Sequence, residues 1–356
     1  MGQSDRFRID SHKLIYHPQR VADWLAGQKI FPIYMEISPT GMCNLRCVFC
    51  SVDFMGYRKV TLDTALLKER LTELGQLGLK SVMFAGEGEP FLHPDLPELI
   101  VHTKKAGIDV AITTNGVLMK PGIPERILGS TEWIKVSLNA GSPETYAAVH
   151  RARPDFFDTV VANLEHAVKV RADGGHHCTL GAQILLLPEN EHEVEDLARC
   201  CRDIGLDYLV VKPYTHHHRN DHDFAIQYEG YMHLAERLRV LSDESFKVVF
   251  RVRTMRKWDA GARPYERCLA LPFWSYIDAA GNVWGCSAHL EDERFRYGDI
   301  AAQTFRDIWL GEQRRKSLDW VARNLDIETC KLNCRMDEVN RYLDQLKNPI
   351  EHVNFI

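Results

Sequence analysis

Residues 33–50 read IYMEISPTGMCNLRCVFC. The first six have the apolar, β-favouring character of a short strand. They lead into a loop that holds Cys43, Cys47 and Cys50 in C-x3-C-x2-C spacing. Three thiolates make an incomplete set. A structural zinc site takes four ligands, and a cubane [4Fe–4S] cluster has four irons to ligate. A cluster held by three cysteines leaves one iron open, and an open metal position is where substrate chemistry occurs. The competing reading is a zinc knuckle that borrows a distant histidine.

Downstream of this stretch a rhythm is set up. KSVMFAG (80–86), DVAITTNG (109–116), WIKVSLNAG (133–141), TLGAQILLLP (179–188) and LDYLVVKPY (206–214) read as five further strands. Amphipathic helical patterns separate them, such as TLDTALLKERLTELGQLG, which Thr61 or Asp63 would cap and Gly78 would stop. Six strands alternating with helices over about 190 residues, apolar on both faces, predict a parallel sheet wrapped by helices. The count fits the fold class α/β with a partial (β/α)6 TIM-like barrel, whose chemistry sits at the C-terminal strand ends. Residues 1–30 read as a helical preface, with Val21, Trp24 and Leu25 at helical spacing before Gly27. Residues 31–244 would form the barrel and 245–356 a small second module.

The chain has 356 residues, a net charge of -5 and ten cysteines. The charge gives no argument for nucleic acid or an anionic membrane as partner. No run of about 18 apolar residues spans a membrane and the N-terminus lacks a signal-peptide core, so a cytoplasmic protein is expected. In a reducing compartment ten cysteines point to metal ligands or catalysts before disulfides. Four of them lie late: Cys268 and Cys286 with 17 residues between them, around CLALPFWSYIDAAGNVWGC, then Cys330 and Cys334 with three between. AAGN reads as a hairpin turn, and four thiolates complete a second [4Fe–4S] set or a zinc site.

The CNLRCVFC loop, with the aromatic Phe49 just before its last cysteine, resembles the radical S-adenosylmethionine (SAM) superfamily. The resemblance implies that SAM chelates the open iron, that Phe49 lies against its adenine, and that the reduced cluster cleaves it to a 5′-deoxyadenosyl radical. GEGEP (86–90) looks like the family's Gly-Gly-Glu-Pro turn, with Gly88 and Glu89 on the methionine ammonium and Glu87 in place of a glycine. WIKVSLNAG resembles the ribose strand, with Ser137 and Asn139 as contacts, and GAQILLLPEN the adenine strand, near Gln183 and Leu185. The four late cysteines resemble a twitch domain, the shortened SPASM module, and imply one auxiliary [4Fe–4S] cluster. An electron donor such as flavodoxin or ferredoxin is the implied partner.

Substrate contacts are expected after the sixth strand, in VVKPYTHHHRNDHD: Lys212 and Tyr214 first, then His216, His217, His218 and Arg219. FRVRTMR alternates, so Arg251 and Arg253 would share one strand face and clamp an anion. Cys178 is the candidate thiol if hydrogen were returned to a substrate radical, and Cys200 and Cys201 read as small apolar helix residues. The apolar tail NPIEHVNFI reads as packing against the core. The function expected is hydrogen abstraction from a small polyhydroxylated substrate (a sugar, aminocyclitol or nucleoside derivative) with oxidation of an alcohol carbon. A single auxiliary cluster and the short segment before the first strand favour that over peptide modification. Epimerisation, decarboxylation or elimination on a sugar, and a zinc protein without turnover, are the other readings.

Overall fold

The computed structural model describes residues 7–217, 219–220, 224–331 and 333–355. Its strands in chain order are β1 (Tyr34–Ile37), β2 (Ser81–Phe84), β3 (Asp109–Thr114), β4 (Trp133–Ser137), β5 (Thr179–Leu186), β6 (Tyr208–Pro213), β7 (Lys247–Phe250), β8 (Trp274–Ile277), β9 (Asn282–Trp284) and β10 (Arg296–Asp299). They form one sheet in the order β10-β9-β8-β1-β2-β3-β4-β5-β6-β7. From β8 through β1 to β7 every neighbour is parallel, and β9 and β10 continue antiparallel from β8. The partial (β/α) barrel is therefore present, with the C-terminal module grown onto the edge of its first strand.

The helices are α1 (Pro18–Leu25), α2 (Thr64–Gln76), α3 (Leu96–Lys105), α4 (Pro124–Ile127), α5 (Pro143–His150), α6 (Asp155–Asp173), α7 (Val194–Ile204), α8 (Met232–Arg239), α9 (Val252–Ala260), α10 (Phe305–Leu310), α11 (Glu312–Asn324) and α12 (Asp337–Lys347). Asp63 caps α2, accepting from Leu66 N at 2.8 Å. Leu67, Leu71 and Leu74 then fall on one face at helical spacing and are fully buried. They join the main core between sheet and helices, with Val82 and Phe84 of β2 and Ile134 and Val136 of β4. No described helix is long and apolar enough to cross a membrane.

The structure revises several expectations. FKVVFRVRT is a strand only to Phe250: β7 pairs with β6 and extends the barrel sheet, and the chain turns helical at Val252. Arg251 and Arg253 are thus not two sites on one strand face. Alternation over a few residues does not separate strand from helix, and Met255 and Trp258, three apart and turned to the core, carried the helical signal. The strands are not apolar on both faces. Their inner face carries Glu36, Lys135, Ser137, Gln183 and Lys212, because the barrel interior lines a site. The preface does more than cover a surface: Phe7 and Ile9 pack with Tyr208, Val210 and Val249, and Leu14 and Val21 pack with Phe273 and Leu343 of the second module. The C-terminal tail does not dock: Ile350 and Phe355 are exposed.

Candidate active site

The cysteine loop leaves the C-terminal end of β1 and docks on the end of α5. Val48 N donates to Val149 O at 2.9 Å and Arg46 N to His150 O at 3.2 Å. His150, which sequence reading missed, is buried; its Nε2–H donates to Leu138 O at 3.0 Å while Nδ1 faces Cys47 Sγ at 3.0 Å. Burial pushes this imidazole down to about 4, so the ring is neutral. Phe49 is buried edge-on to His150, with ring centroids 5.3 Å apart. Burial also pushes the Cys43 thiol up to about 11, so the sulfur takes its ligating charge only with a metal to receive it.

The turn after β2 passes close under this loop. A Cβ at Gly88 would lie 2.2 Å from Met42 O and 2.5 Å from Thr40 O, so no side chain fits there. Glu89 N donates to Met42 O at 2.8 Å. The buried Glu89 carboxylate accepts from Thr114 Oγ1 (2.6 Å), Phe91 N (3.2 Å) and Asn115 N (2.8 Å). Burial pushes its pKa up, partly offset by those donors. Glu87, the departure from the family turn, points elsewhere. It accepts from Ala279 N at 3.2 Å in the β8–β9 turn, and burial beside Asp278 pushes it up to about 7.

At the ends of β4 and β5, Gln183 Nε2 donates to Ser137 Oγ at 2.8 Å. Asn139 sits in the left-handed region with φ 56° and accepts from Leu185 N at 2.8 Å, tying the two strand ends together. Leu185 is buried and stands in register with Lys212. Gln183 Oε1 and Asn139 Nδ2 are buried without a partner among the described residues. Three cysteines with an open fourth place, a cradle too tight for a Cβ and two orphaned amide atoms fit a cluster-bound SAM.

Cys268, Cys286, Cys330 and Cys334 lie within electrostatic reach of one another; burial raises all four thiols first, and neighbouring cysteines raise Cys268, Cys286 and Cys330 further. Ala288 N donates to Cys286 Sγ at 3.4 Å and Asn340 Nδ2 to Cys268 Sγ at 3.8 Å. Among the described residues no three His, Cys, Asp or Glu side chains close to the shell of a single metal ion. The cysteines of a cubane need no such shell, since each takes its own iron.

Two family models match the chain: the radical SAM superfamily over residues 37–201 and the SPASM iron–sulfur cluster-binding domain over 268–335. The chain is a radical SAM enzyme with a C-terminal SPASM domain. Its cofactors are SAM and [4Fe–4S] clusters. It is 28% identical over 179 residues to a probable GTP 3′,8-cyclase of Methanothermobacter thermautotrophicus, covering 50% of this chain and 56% of that protein. It thus spans little more than half the length of that cyclase. A protein of Pyrococcus furiosus that modifies the cofactor of tungsten-containing aldehyde ferredoxin oxidoreductase is 24% identical over 311 residues, 79% of this chain and 81% of that one. The fold is shared with Streptococcus suis SuiB bound to SAM, at TM-score 0.67 and 18% identity over 94% of this chain and 79% of that one.

The substrate contacts expected of this radical SAM enzyme divide. Lys212 faces the barrel interior, on the side of β6 opposite the core residues Leu209 and Val211. Tyr214 does not follow it. The strand ends at Pro213, and the Tyr214 ring is buried against Phe224 and Trp258, with centroids 4.9 and 6.1 Å away. The next residues brace the two cysteine modules. His217 is fully buried, stacks on Phe54 at 4.4 Å and bonds Ala288 O at 3.1 Å through Nε2. Arg219 pairs with Glu291 at 2.8 Å, and Asn220 Nδ2 donates to Cys50 O at 2.6 Å. His216 is half-buried near Tyr214, and His218 lies outside the described residues.

Arg251 pairs with Asp10 at 3.2 Å, and Arg253 points outward to Glu338 at 2.8 Å with 57% of its side chain exposed. Cys178 is buried in the main core and pushed up to about 12 by that burial, away from the inner face. Cys201 is buried in the same core, and Cys200 is half-buried beside it. The residue overlooked inside a quoted strand is Lys135. It stands two before Ser137 and so on the same inner face.

Proposed function

We propose that this radical SAM enzyme takes a hydrogen atom from a small polyhydroxylated molecule and oxidises one of its alcohol carbons. The observation that supports this reading is the barrel's inner face. Lys135, Ser137, Gln183 and Lys212 turn inward, and Arg335 of the SPASM domain reaches in to Tyr34 Oη at 2.7 Å and to Glu36. These groups offer hydrogen bonds and charge to a polar molecule, set among apolar residues of the same face such as Met83, Ala111 and Val210.

When bound, SAM and the clusters would supply the radical that takes the hydrogen atom and an acceptor for the electron left behind, while the hydroxyl proton passes to solvent. The chain's own residues position and protect. Cys43, Cys47 and Cys50 hold the first cluster, and His150 fixes the position of Cys47. Gly88 gives a side-chain-free approach for the methionine end, and Glu89 meets its ammonium. Ser137, Asn139 and Gln183 would meet the ribose, Phe49 and Leu185 would enclose the adenine, and Cys268, Cys286, Cys330 and Cys334 would hold the auxiliary cluster. Phe7 and Ile9 shut the bottom of the barrel against water. The similar cyclases are named for GTP, itself a polyhydroxylated nucleotide. A peptide is the second reading, since SuiB has been seen with its precursor peptide.

The test is 5′-deoxyadenosine formation by anaerobically reconstituted protein with SAM and a strong reductant. A rate that rises with one pool of sugars, aminocyclitols or nucleotides supports the reading. Stimulation by peptides alone overturns it.

A further inference from the structure

The inner face of the barrel carries more positive charge than it answers. Lys135 on β4 and Lys212 on β6 flank β5, and each lies opposite core-facing neighbours, so both ammonium groups point inward. Lys135 Nζ lies 5.6 Å from the Trp133 ring centroid. Among the described residues neither lysine has a carboxylate at ion-pair distance. The charges acting most strongly on Lys212 are Lys135, Arg251 and Arg335, with Glu36 the opposing carboxylate. Glu36 is already paired with Arg335, and Arg251 with Asp10. Two lysines therefore remain unanswered in a half-buried site. Burial, then these neighbouring cations, push both away from the charged form, Lys135 down to about 8.

A fold keeps an uncompensated buried charge at a cost in stability, and a functional site is where that cost is tolerated. The surroundings have the form of a binding site. Beside Lys135, whose register partner is Gly181, lies an apolar floor, where the Tyr208 ring crosses so close over Gly181 that a Cβ there would meet it at 2.3 Å; Lys212 stands in register with Leu185, four residues further along β5. Val210, Val249, Phe7 and Ile9 complete that floor. Between the lysines stands Gln183, whose Oε1 has no partner among the described residues. A bound dianion would draw both lysines back to their ammonium form, and a lysine binds phosphate as a point charge without the planar fork of arginine.

The geometry points to a substrate that carries a phosphate or diphosphate group, held inside the barrel by Lys135 and Lys212. This rests on the reading of the barrel as a small-molecule site.

Inorganic pyrophosphate is the probe. Its binding to the anaerobically reconstituted holoenzyme is measured by calorimetry, with and without saturating SAM. It should bind in both cases. Lys135→Met and Lys212→Met should each weaken it by roughly tenfold or more, the loss expected of one charge-assisted hydrogen bond, and Lys212→Arg should restore most of it. Both Met variants remove an unanswered buried charge, so their melting temperatures should rise, which separates lost binding from lost folding. No binding to the wild type, or equal binding by the Met variants, overturns the assignment. So does loss of pyrophosphate binding when SAM is added, because the lysines would then be holding the methionine carboxylate. SAM cleavage in the same preparation is scored separately. Cleavage without pyrophosphate binding removes the phosphate site and leaves the radical enzyme, and binding without cleavage does the reverse.

Discussion

Two pairs of cations in this barrel look alike in sequence and have opposite surroundings. Among the described residues Lys135 and Lys212 turn into the barrel with no carboxylate at ion-pair distance, whereas Arg251 and Arg253 near β7 each have one, Asp10 and Glu338. Asp10 belongs to the N-terminal preface, about 240 residues before the arginines, and Glu338 to the C-terminal helix, about 85 residues after them. The arginines are fastenings that tie both ends of the chain to the barrel wall. The lysines are charges held ready. A cation's role is set by whether the fold brings it a counter-charge, and that counter-charge is usually remote in sequence.

Removing both lysines should give the largest effect. The double variant Lys135→Met/Lys212→Met is expected to lose roughly 100-fold or more of its substrate-stimulated 5′-deoxyadenosine formation, two charged contacts at about 1.5–3 kcal/mol each. It should melt at a higher temperature than the wild type. Lower activity together with lower stability would mean that the lysines are fastenings after all. Lys135 also gives a pH signature. Its pKa is about 8 in the fold against 10.5 unfolded, so the unfolded state binds more protons between those values and stability should rise with pH across that window. Lys135→Met should flatten that rise in urea titrations.

The fastening side breaks differently. Asp10 accepts from the Arg251 guanidinium, from Arg253 N at 2.9 Å, from Thr254 N at 3.3 Å and from the Thr254 hydroxyl. Asp10→Ala leaves all of these donors unmet and should destabilise the protein by about 3 kcal/mol. A shift in the urea midpoint well below that would mean water serves the donors equally well.

Glu87 is a third case, a buried acid on which the most strongly acting charge, Asp278, has the same sign. Its pKa is about 7 in the fold against 4.5 unfolded, so its contribution to stability is present below 4.5 and lost as pH rises to about 7. Glu87→Gln should stabilise the protein by about 2 kcal/mol at pH 8 and remove that slope. An unchanged slope would show that Glu87 stays ionised in the fold. The smallest effect is expected of Arg253→Ala. Its ion pair is mostly exposed, so the loss should stay below about 1 kcal/mol by thermal unfolding. A larger loss would give that pair a structural weight its exposure does not suggest.

The sequence by itself determined the first cysteine set, because eight consecutive residues after one strand carry the whole motif. It also determined the alternation of six strands and helices, since each is a local period, and the Gly88 and Glu89 turn that follows β2. The radical SAM and SPASM assignments were legible for the same reason. Tertiary structure decided the rest. Only the fold brings Cys268 and Cys286 beside Cys330 and Cys334, sets β8 against β1, and lays β7 beside β6. It alone turns Tyr214 into the core where β6 stops, makes Arg253 a helix residue, uses His217 as a brace and puts His150 on Cys47. Sequence fixes what neighbours within a turn or a strand can do. Which charge is answered and which is left open depends on contacts between residues far apart in the chain, and those exist only once the barrel has closed around them.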